Sequence, residues 1–364
     1  MSKWLKPPWL ELNIMIVVAI ISYIVIAVAA AAVPTPEGGM PGGVLTGWLV
    51  GFFIASTLIA ILATIGGIGG GVIFTPLVMA FTPVDSLVAR GTGLIVAMFS
   101  GLMATGPVMR SGLSNFKMVV FLCVAFSIAA FGGAQGAVVV AALLGEWGEA
   151  LVRLLLGLII GGLILYFIFG GKKIEWPDIK KSDRVTQALG LRQPFYEPSL
   201  GRVVDYGLTN MGFLFFAIML VGLGSGFFGM GAGWAMVPFQ NVIAGTPLKV
   251  AAANSVVLLG MGDCVAVWPY FMMGALIPLF AAPWLAGQVV GGLFGALVLV
   301  QIKAGFVRWL LIGLMGFSCW GLITRALAMW GVIEPIPHWL NLTVLVVLLG
   351  FVGINVLREL RQKD

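Results

Sequence analysis

Residues 226–247, GFFGMGAGWAMVPFQNVIAGTP, and residues 67–83, GIGGGVIFTPLVMAFTP, decide the fold between them. Gly67, Gly69, Gly71 and Pro76 fall on Gly229, Gly231, Gly233 and Pro238 at a constant offset of 162, and Thr82-Pro83 matches Thr246-Pro247 after a gap of two residues. The chain therefore carries one unit twice. Each copy interrupts an apolar region with alternating glycines, which propagate a helix poorly and reach positive φ freely.

The surroundings of both breaks are too apolar for water. The chain is 60% hydrophobic and 9% charged, with mean hydropathy +1.10, where a soluble domain carries about a quarter charged residues. No soluble core of this size hides that much apolar surface, so the solvent is a bilayer. The net charge of +6 sits mostly at the ends of apolar runs and in one polar stretch, as membrane flanks do, and gives no sign of nucleic-acid binding. Cys123, Cys264 and Cys319 are widely separated in apolar runs. They predict neither disulfide nor metal and act as small core hydrophobes.

The pattern of apolar runs predicts an all-α polytopic integral membrane protein of about ten transmembrane helices, in two homologous repeats that each contain a Gly-broken half-helix. Residues 1–43 hold an N-terminal span (12–33) and a short polar link. That span ends in a signal-peptidase-like AVAAAAVP, but the apolar run exceeds about 20 residues, longer than a usual signal h-region, so it is expected to stay as a helix. Residues 44–170 form repeat 1, with spans at 44–65, 87–107, 117–144 and 149–169. Residues 171–206 form a polar central loop with seven basic and five acidic residues. Residues 207–330 form repeat 2, with spans at 207–228, 248–273, 276–301 and 305–330, and residues 331–364 hold a last span and a charged tail. The pieces Gly71–Phe81 and Trp234–Ile243 are too short to cross at about 1.5 Å per residue and form the half-helices. Ten alternating crossings put both termini on one face and the central loop on the other. Lysines and arginines then divide ten against ten, and the positive-inside rule gives no orientation.

Irregular backbone at membrane depth survives only when buried in protein or lining a wet cavity. Each break frees N–H groups at the start of the next segment, near Val72 and Trp234, where the helix N-terminus attracts anions. Paired Gly-interrupted segments at matching places in two halves point to the midplane site of a transporter. That site is expected between Gly67–Gly71 and Gly229–Gly233. Close helix packing through small residues is the alternative, and it accounts for Gly132 with Gly136 and Gly287 with Gly291.

The GIGGG…TP and GMGAG…P…TP halves, the apolar spans after each and the polar loop between them resemble the TauE/SafE sulfite exporter family, also described as 4-toluene sulfonate uptake permeases. The resemblance covers roughly residues 45–330. It implies a multi-pass protein of the bacterial inner membrane that exports, or less often imports, small sulfur-containing anions such as sulfite, thiosulfate, sulfoacetate and other organosulfonates. Other small carboxylated anions are handled by some relatives. A homodimer is compatible with the resemblance.

Few polar residues lie within spans, and an ionisable one there is a functional candidate. Asp263, the deepest acid, is expected to carry a coupling proton, the alternative being a structural pairing. Arg90 opens the 87–107 span and offers a planar fork that fits a sulfonate or carboxylate; the alternatives are an arginine reaching to headgroups or one neutralised by Asp85. Asn254 is its expected repeat mate. Gln240 and Asn241 lie in the second half-helix where the first has Val78 and Met79, so the halves are chemically unequal. Trp234 directly follows the second break and could wall or gate the site. Most other tryptophans, Trp48, Trp147, Trp268, Trp284, Trp309, Trp330 and Trp339, fall near span ends, as an interfacial belt requires.

No Walker A sequence is present, so ATP hydrolysis by this chain is not expected. An enzyme would need a cluster of nucleophile, base or metal ligands, and the single histidine, His338, has no partner motif. The expected activity is secondary anion transport without catalytic residues, cofactor or metal. A channel of the same fold is the runner-up.

Overall fold

The computed structural model describes residues 9–32, 39–81, 84–170, 175, 177, 182–198, 200–302 and 304–361; Thr82 and Pro83 lie outside them. In chain order the elements are α1 (Trp9–Ala32), α2 (Gly42–Gly66), α3 (Gly71–Phe81), α4 (Ser86–Arg110), α5 (Phe116–Gly170), α6 (Arg184–Leu189), β1 (Phe195–Glu197), β2 (Arg202–Val204), α7 (Met211–Phe228), α8 (Gly233–Ala244), α9 (Leu248–Met272), α10 (Pro278–Gln301), α11 (Ala304–Met329) and α12 (His338–Arg361). Gly145, at φ 53° and ψ −145°, divides α5 into the two arms expected as separate spans. Among the described residues eight helices are long and apolar enough to cross a membrane, and Arg153–Phe169 and Trp339–Asn355 are shorter apolar helices. The molecule is an all-α polytopic membrane protein.

The central pair, α4 and α9, fixes the frame. Both are 25 residues long, with Pro107 and Pro269 at matching positions. They run antiparallel: Gly91 backs onto Tyr270, Gly101 onto Val256 and Gly260, and Asn115, just past α4, bonds Asn254 near the start of α9. Along this frame Gly67, at the end of α2, abuts Ala252 near the start of α9. Gly229, at the end of α7, abuts Arg90 near the start of α4, at the other end of the bundle. So α2 has traversed most of the bundle before its break. The chain then doubles back, and α3 returns to the end from which α4 departs. The second repeat does the same in inverted sense. The half-helices are re-entrant legs and complete no crossing.

That reversal changes the parity that ten alternating crossings give. Arg110 at the end of α4 pairs with Glu11 at the start of α1 (2.9 Å), and Arg308 at the start of α11 pairs with Glu175 (3.0 Å). The α12 helix runs back along α11, with Leu348 on Gly313 and Asn341 bonded to Trp320. The start of α1, the end of α12 and the 175–206 stretch therefore share one end. Among the described residues that end carries Arg110, Lys117, Arg184, Arg192, Arg202, Lys249, Arg308, Arg358 and Arg361, and the opposite end Arg90, Arg153 and Arg325. In sequence, the other eight lysines adjoin helix ends of the first group.

The central stretch is not the solvated loop expected from its charge. It folds into α6 and the β1–β2 hairpin and closes over the bundle end. Phe195 and Glu197 point inward while Tyr196 is exposed. Glu197 is buried against Lys249 (2.9 Å), whose ammonium also donates to Val300 O (3.1 Å). Asn115 donates to Leu191 O, and Gln193 donates to Gly112 O and Ser114 O. One carboxylate, Asp183, caps two helices, accepting from Thr186 N (2.7 Å) and Met211 N (2.8 Å). We call residues 182–206 the cap.

Gly287 and Gly291 let α10 lie on α2 at Phe53–Thr57, as expected. On α5 the close contact with α7 falls on Gly133 instead, where an added Cβ would sit 2.0 Å from Leu223 O, whereas Gly136 faces open space. Trp48, Trp147, Trp268 and Trp339 are exposed as belt residues. Trp284 is not: it is buried in a cluster with Phe52 and Phe74.

Candidate functional site

Each break uses two glycines at positive φ, Gly67 (72°) and Gly69 (73°) in one copy, Gly229 (63°) and Gly231 (72°) in the other. The third glycine of each set, Gly71 and Gly233, serves close approach. A Cβ on Gly71 would lie 2.7 Å from Met230 O, and one on Gly233 would lie 2.2 Å from Ile68 Cα. Ile68 and Met230 are themselves repeat mates, so the two breaks cross in mutual contact. Gly69 and Gly231 both touch Ala97 and Leu259, in the middle of α4 and α9, which places the crossing at mid-depth. Gly70 N donates to Ser100 Oγ (3.3 Å), Ile73 and Phe74 N donate to Gly70 O, and Ala235 and Met236 N donate to Ala232 O. The N–H groups of Gly71, Val72, Gly233 and Trp234 meet no acceptor among the described residues. Where the two breaks touch, backbone packs directly on backbone.

Open space lies beside the crossing. A cavity of about 500 Å³ is lined by Thr75 of α3, Arg90 of α4, Arg153 of α5, Phe228 and Met230 flanking the second break, α11 from Phe317 to Met329, and Pro335 to Asn341. Arg90, Arg153 and Arg325 bring three guanidinium groups to its wall, beside Thr75, Thr324 and Asn341. Arg90 is 2% exposed, donates to Phe227 O (3.5 Å) and lies 5.7 Å from the Phe227 ring, so it does not reach to headgroups. Asp85 accepts from Leu87 N and Val88 N as the cap of α4. Arg153 is buried and Arg325 exposed at the cavity wall. Thr75 Oγ1 ties α3 to the second break through Gly229 O (2.8 Å). Arg153 and Arg325 were not singled out from sequence; each lies within an apolar span near the end opposite the cap, and only the re-entrant topology shows that they share that end with Arg90.

The other predicted residues divide between two places. Asp263 is fully buried against the second break: Oδ1 accepts from Ser225 Oγ (3.2 Å), and Oδ2 lies 3.3 Å from the position of a Cβ on Gly231. Trp234 is buried in the same region. Gln240, Asn241 and Asn254 lie toward the cap. Asn254 donates to Gln240 Oε1 (3.1 Å) and accepts from Asn115 N (2.7 Å) and Ser114 Oγ (3.2 Å). Asn241 donates to Thr246 O (2.8 Å). The interval from half-helix to next helix is the same in both copies, 71 to 86 and 233 to 248. The register after the breaks therefore stays at 162, and the mate of Arg90 is Ala252, with Asn254 matching Thr92. The shifted Thr-Pro match misled the sequence alignment. Among the described residues no group of His, Cys, Asp and Glu could hold a metal ion.

Comparison with known proteins agrees with this architecture. Residues 52–322 match the family described as Sulfite exporter TauE/SafE. The chain is similar to the Probable membrane transporter protein YunE of Bacillus subtilis (strain 168), with 24% identity over 260 residues, covering 68% of this chain and 88% of that protein. No solved structure matches.

Proposed function

This chain belongs to the TauE/SafE family of membrane transporters, and on that premise we propose that it is a secondary transporter that exports small sulfur-containing anions through the arginine-lined cavity. One observation carries this reading: three arginines from three helices line one cavity. A guanidinium fork pairs bidentately with a sulfonate or carboxylate, and in a low-dielectric wall that attraction is little screened. The cavity's size and apolar walls (Phe228, Met230, Phe317, Leu322, Met329) favour an anion with an organic body, such as an organosulfonate, over bare sulfite. Pockets of about 300–1,000 Å³ suit ligands larger than an oxyanion. A thermal-shift screen of the purified protein against sulfite, sulfate, thiosulfate, sulfoacetate, taurine and simple carboxylates tests it, since a bound anion stabilises by RT ln(1 + [L]/Kd). Stabilisation by none of the sulfur anions removes the reading; stabilisation by carboxylates alone replaces it with the carboxylate-permease alternative.

The capped end holds most of the lysines and arginines and is assigned to the cytoplasm by the positive-inside rule. The cavity then faces outward, and the cap closes the inner side. Cysteines placed at Tyr196 and Gly331 check this: a membrane-impermeant maleimide added outside whole cells is to label position 331 and spare position 196.

Asp263 supports proton coupling, being a buried acid at the crossing on the second repeat alone. Asp263→Asn is expected to abolish pH-driven flux while leaving anion counterflow. Saturable counterflow in liposomes also separates a carrier from a channel.

A further inference from the structure

The pseudo-symmetry asks what stands at the capped end in place of the outward cavity. Each repeat presents a cation in the first turn or so of its second spanning helix, just after its re-entrant leg: Arg90 in α4 and Lys249 in α9. They are not register mates, since Lys249 matches Leu87, but they occupy corresponding ends of inverted units. Around Arg90 there is a cavity. At the capped end Lys249 is 1% exposed and held 2.9 Å from Glu197, a carboxylate delivered by the β1 strand of the cap. On the same end α8 and α9 bury Gln240 and Asn254, bonded to each other and to the α4–α5 turn. Gln240 Nε2, fully buried, donates to nothing among the described residues. A buried cation, a buried amide with an unused donor and a carboxylate seated on the cation are the parts of an anion site with its own occupant in place.

We propose that Lys249, Gln240 and Asn254 form a second anion station at the capped end, and that Glu197 occupies it in this structure as a built-in stand-in for the transported anion. A substrate anion arriving from that face displaces the Glu197 carboxylate from Lys249, and the cap lifts as it does so. The station then passes its anion toward the crossing when the repeats exchange conformations. The ion pair is thus a latch released by the substrate. This rests on the anion-transporter reading, but it concerns only the capped face.

The test measures uptake of ³⁵S-thiosulfate and, in parallel, labelled sulfoacetate by everted and right-side-out vesicles, so that KM is obtained for each face. Glu197→Gln removes the competing anion and is expected to lower KM from the capped face about tenfold, the ratio set by a station nine-tenths latched, with KM from the cavity face unchanged. Lys249→Gln alone would strand a buried carboxylate and endanger folding. The reversed pair Lys249→Glu with Glu197→Lys keeps the contact and moves the cation onto the cap. It is expected to melt as wild type yet take up neither probe from the capped face. Wild-type KM from that face in Glu197→Gln, or in the reversed pair, overturns the proposal. If those variants behave as wild type while Arg90→Gln still loses uptake, the transporter reading survives the failure; if wild type carries neither probe from either face, both fall.

Discussion

The second spanning helices of the two repeats, α4 and α9, are alike in everything the backbone needs and unlike in nearly everything a solute would touch. They share length, the position of an internal proline and a break packed at mid-depth against Ala97 and Leu259. Yet Arg90 stands opposite Ala252, Thr92 opposite Asn254, Gly101 opposite Asp263 and Leu87 opposite Lys249. Equal backbones let inverted repeats exchange conformations, the geometry expected of alternating access. Unequal side chains make the two faces chemically different: three arginines on the cavity at one, the Glu197–Lys249 ion pair and the Gln240–Asn254 pair under the cap at the other, and buried Asp263 between them.

The comparison breaks first at the crossing. Gly71→Ala and Gly233→Ala should each cost at least about 3 kcal/mol, because the new methyl meets backbone rather than a yielding side chain. Comparable losses of folded yield and melting temperature are expected for both; collapse of only one would mean that the breaks are not equivalent. Next, Arg90→Gln and Arg153→Gln should each weaken anion binding by about ten- to a hundredfold, the worth of a charge-assisted hydrogen bond in a buried site, while the more exposed Arg325→Gln costs only a few-fold. Ligand titration of the three variants orders them.

The cap offers a smaller test. Asp183 holds the starts of both α6 and α7, whereas α2, the mate of α7, begins after Pro41 without a side-chain cap. Asp183→Ala should cost about 1–2 kcal/mol and leave the first repeat's ligand affinity unchanged. Partial burial raises the Asp183 pKa, but hydrogen bonds from Thr186 and Met211 outweigh it and hold the carboxyl below its ordinary value. Its contribution is therefore present above the ordinary carboxylate range and is lost as pH falls through the lowered folded value. A melting series toward acid should show that loss in wild type and not in Asp183→Ala.

Much of this was legible in the chain. Composition dictated the membrane, the apolar runs gave the segments, and paired glycines located the irregular backbone. Reversal of the chain at each break was not legible. A short helix after Gly-x-Gly-x-Gly is equally consistent with a continued crossing and a return, and only contacts between distant residues, such as Gly67 with Ala252, decide. That one ambiguity hid the shared end of Arg90, Arg153 and Arg325 and made the charge count a tie. The cap was hidden for another reason. Its charges look solvated in sequence, and Glu197 and Glu175 become interior residues only because Lys249 and Arg308 wait at helix starts 52 and 133 residues away. Asp263 stood out because depth makes a charge costly; Arg90 stood out by its place just after a half-helix, which Arg153 and Arg325, near the edges of their own spans, lack.

The confinement of three arginines to the uncapped end has an electrical consequence. With the capped end inside, a resting cell holds that interior negative, so each unit of negative charge moved outward is driven by about 2.3 kcal/mol per 100 mV. An anion leaving by this route runs down the voltage, and the guanidinium cluster meets it where the field has already done its work. On the proposed reading, import of a net negative charge through the same cavity would climb that voltage, so membrane energisation favours export of an anion that moves uncompensated.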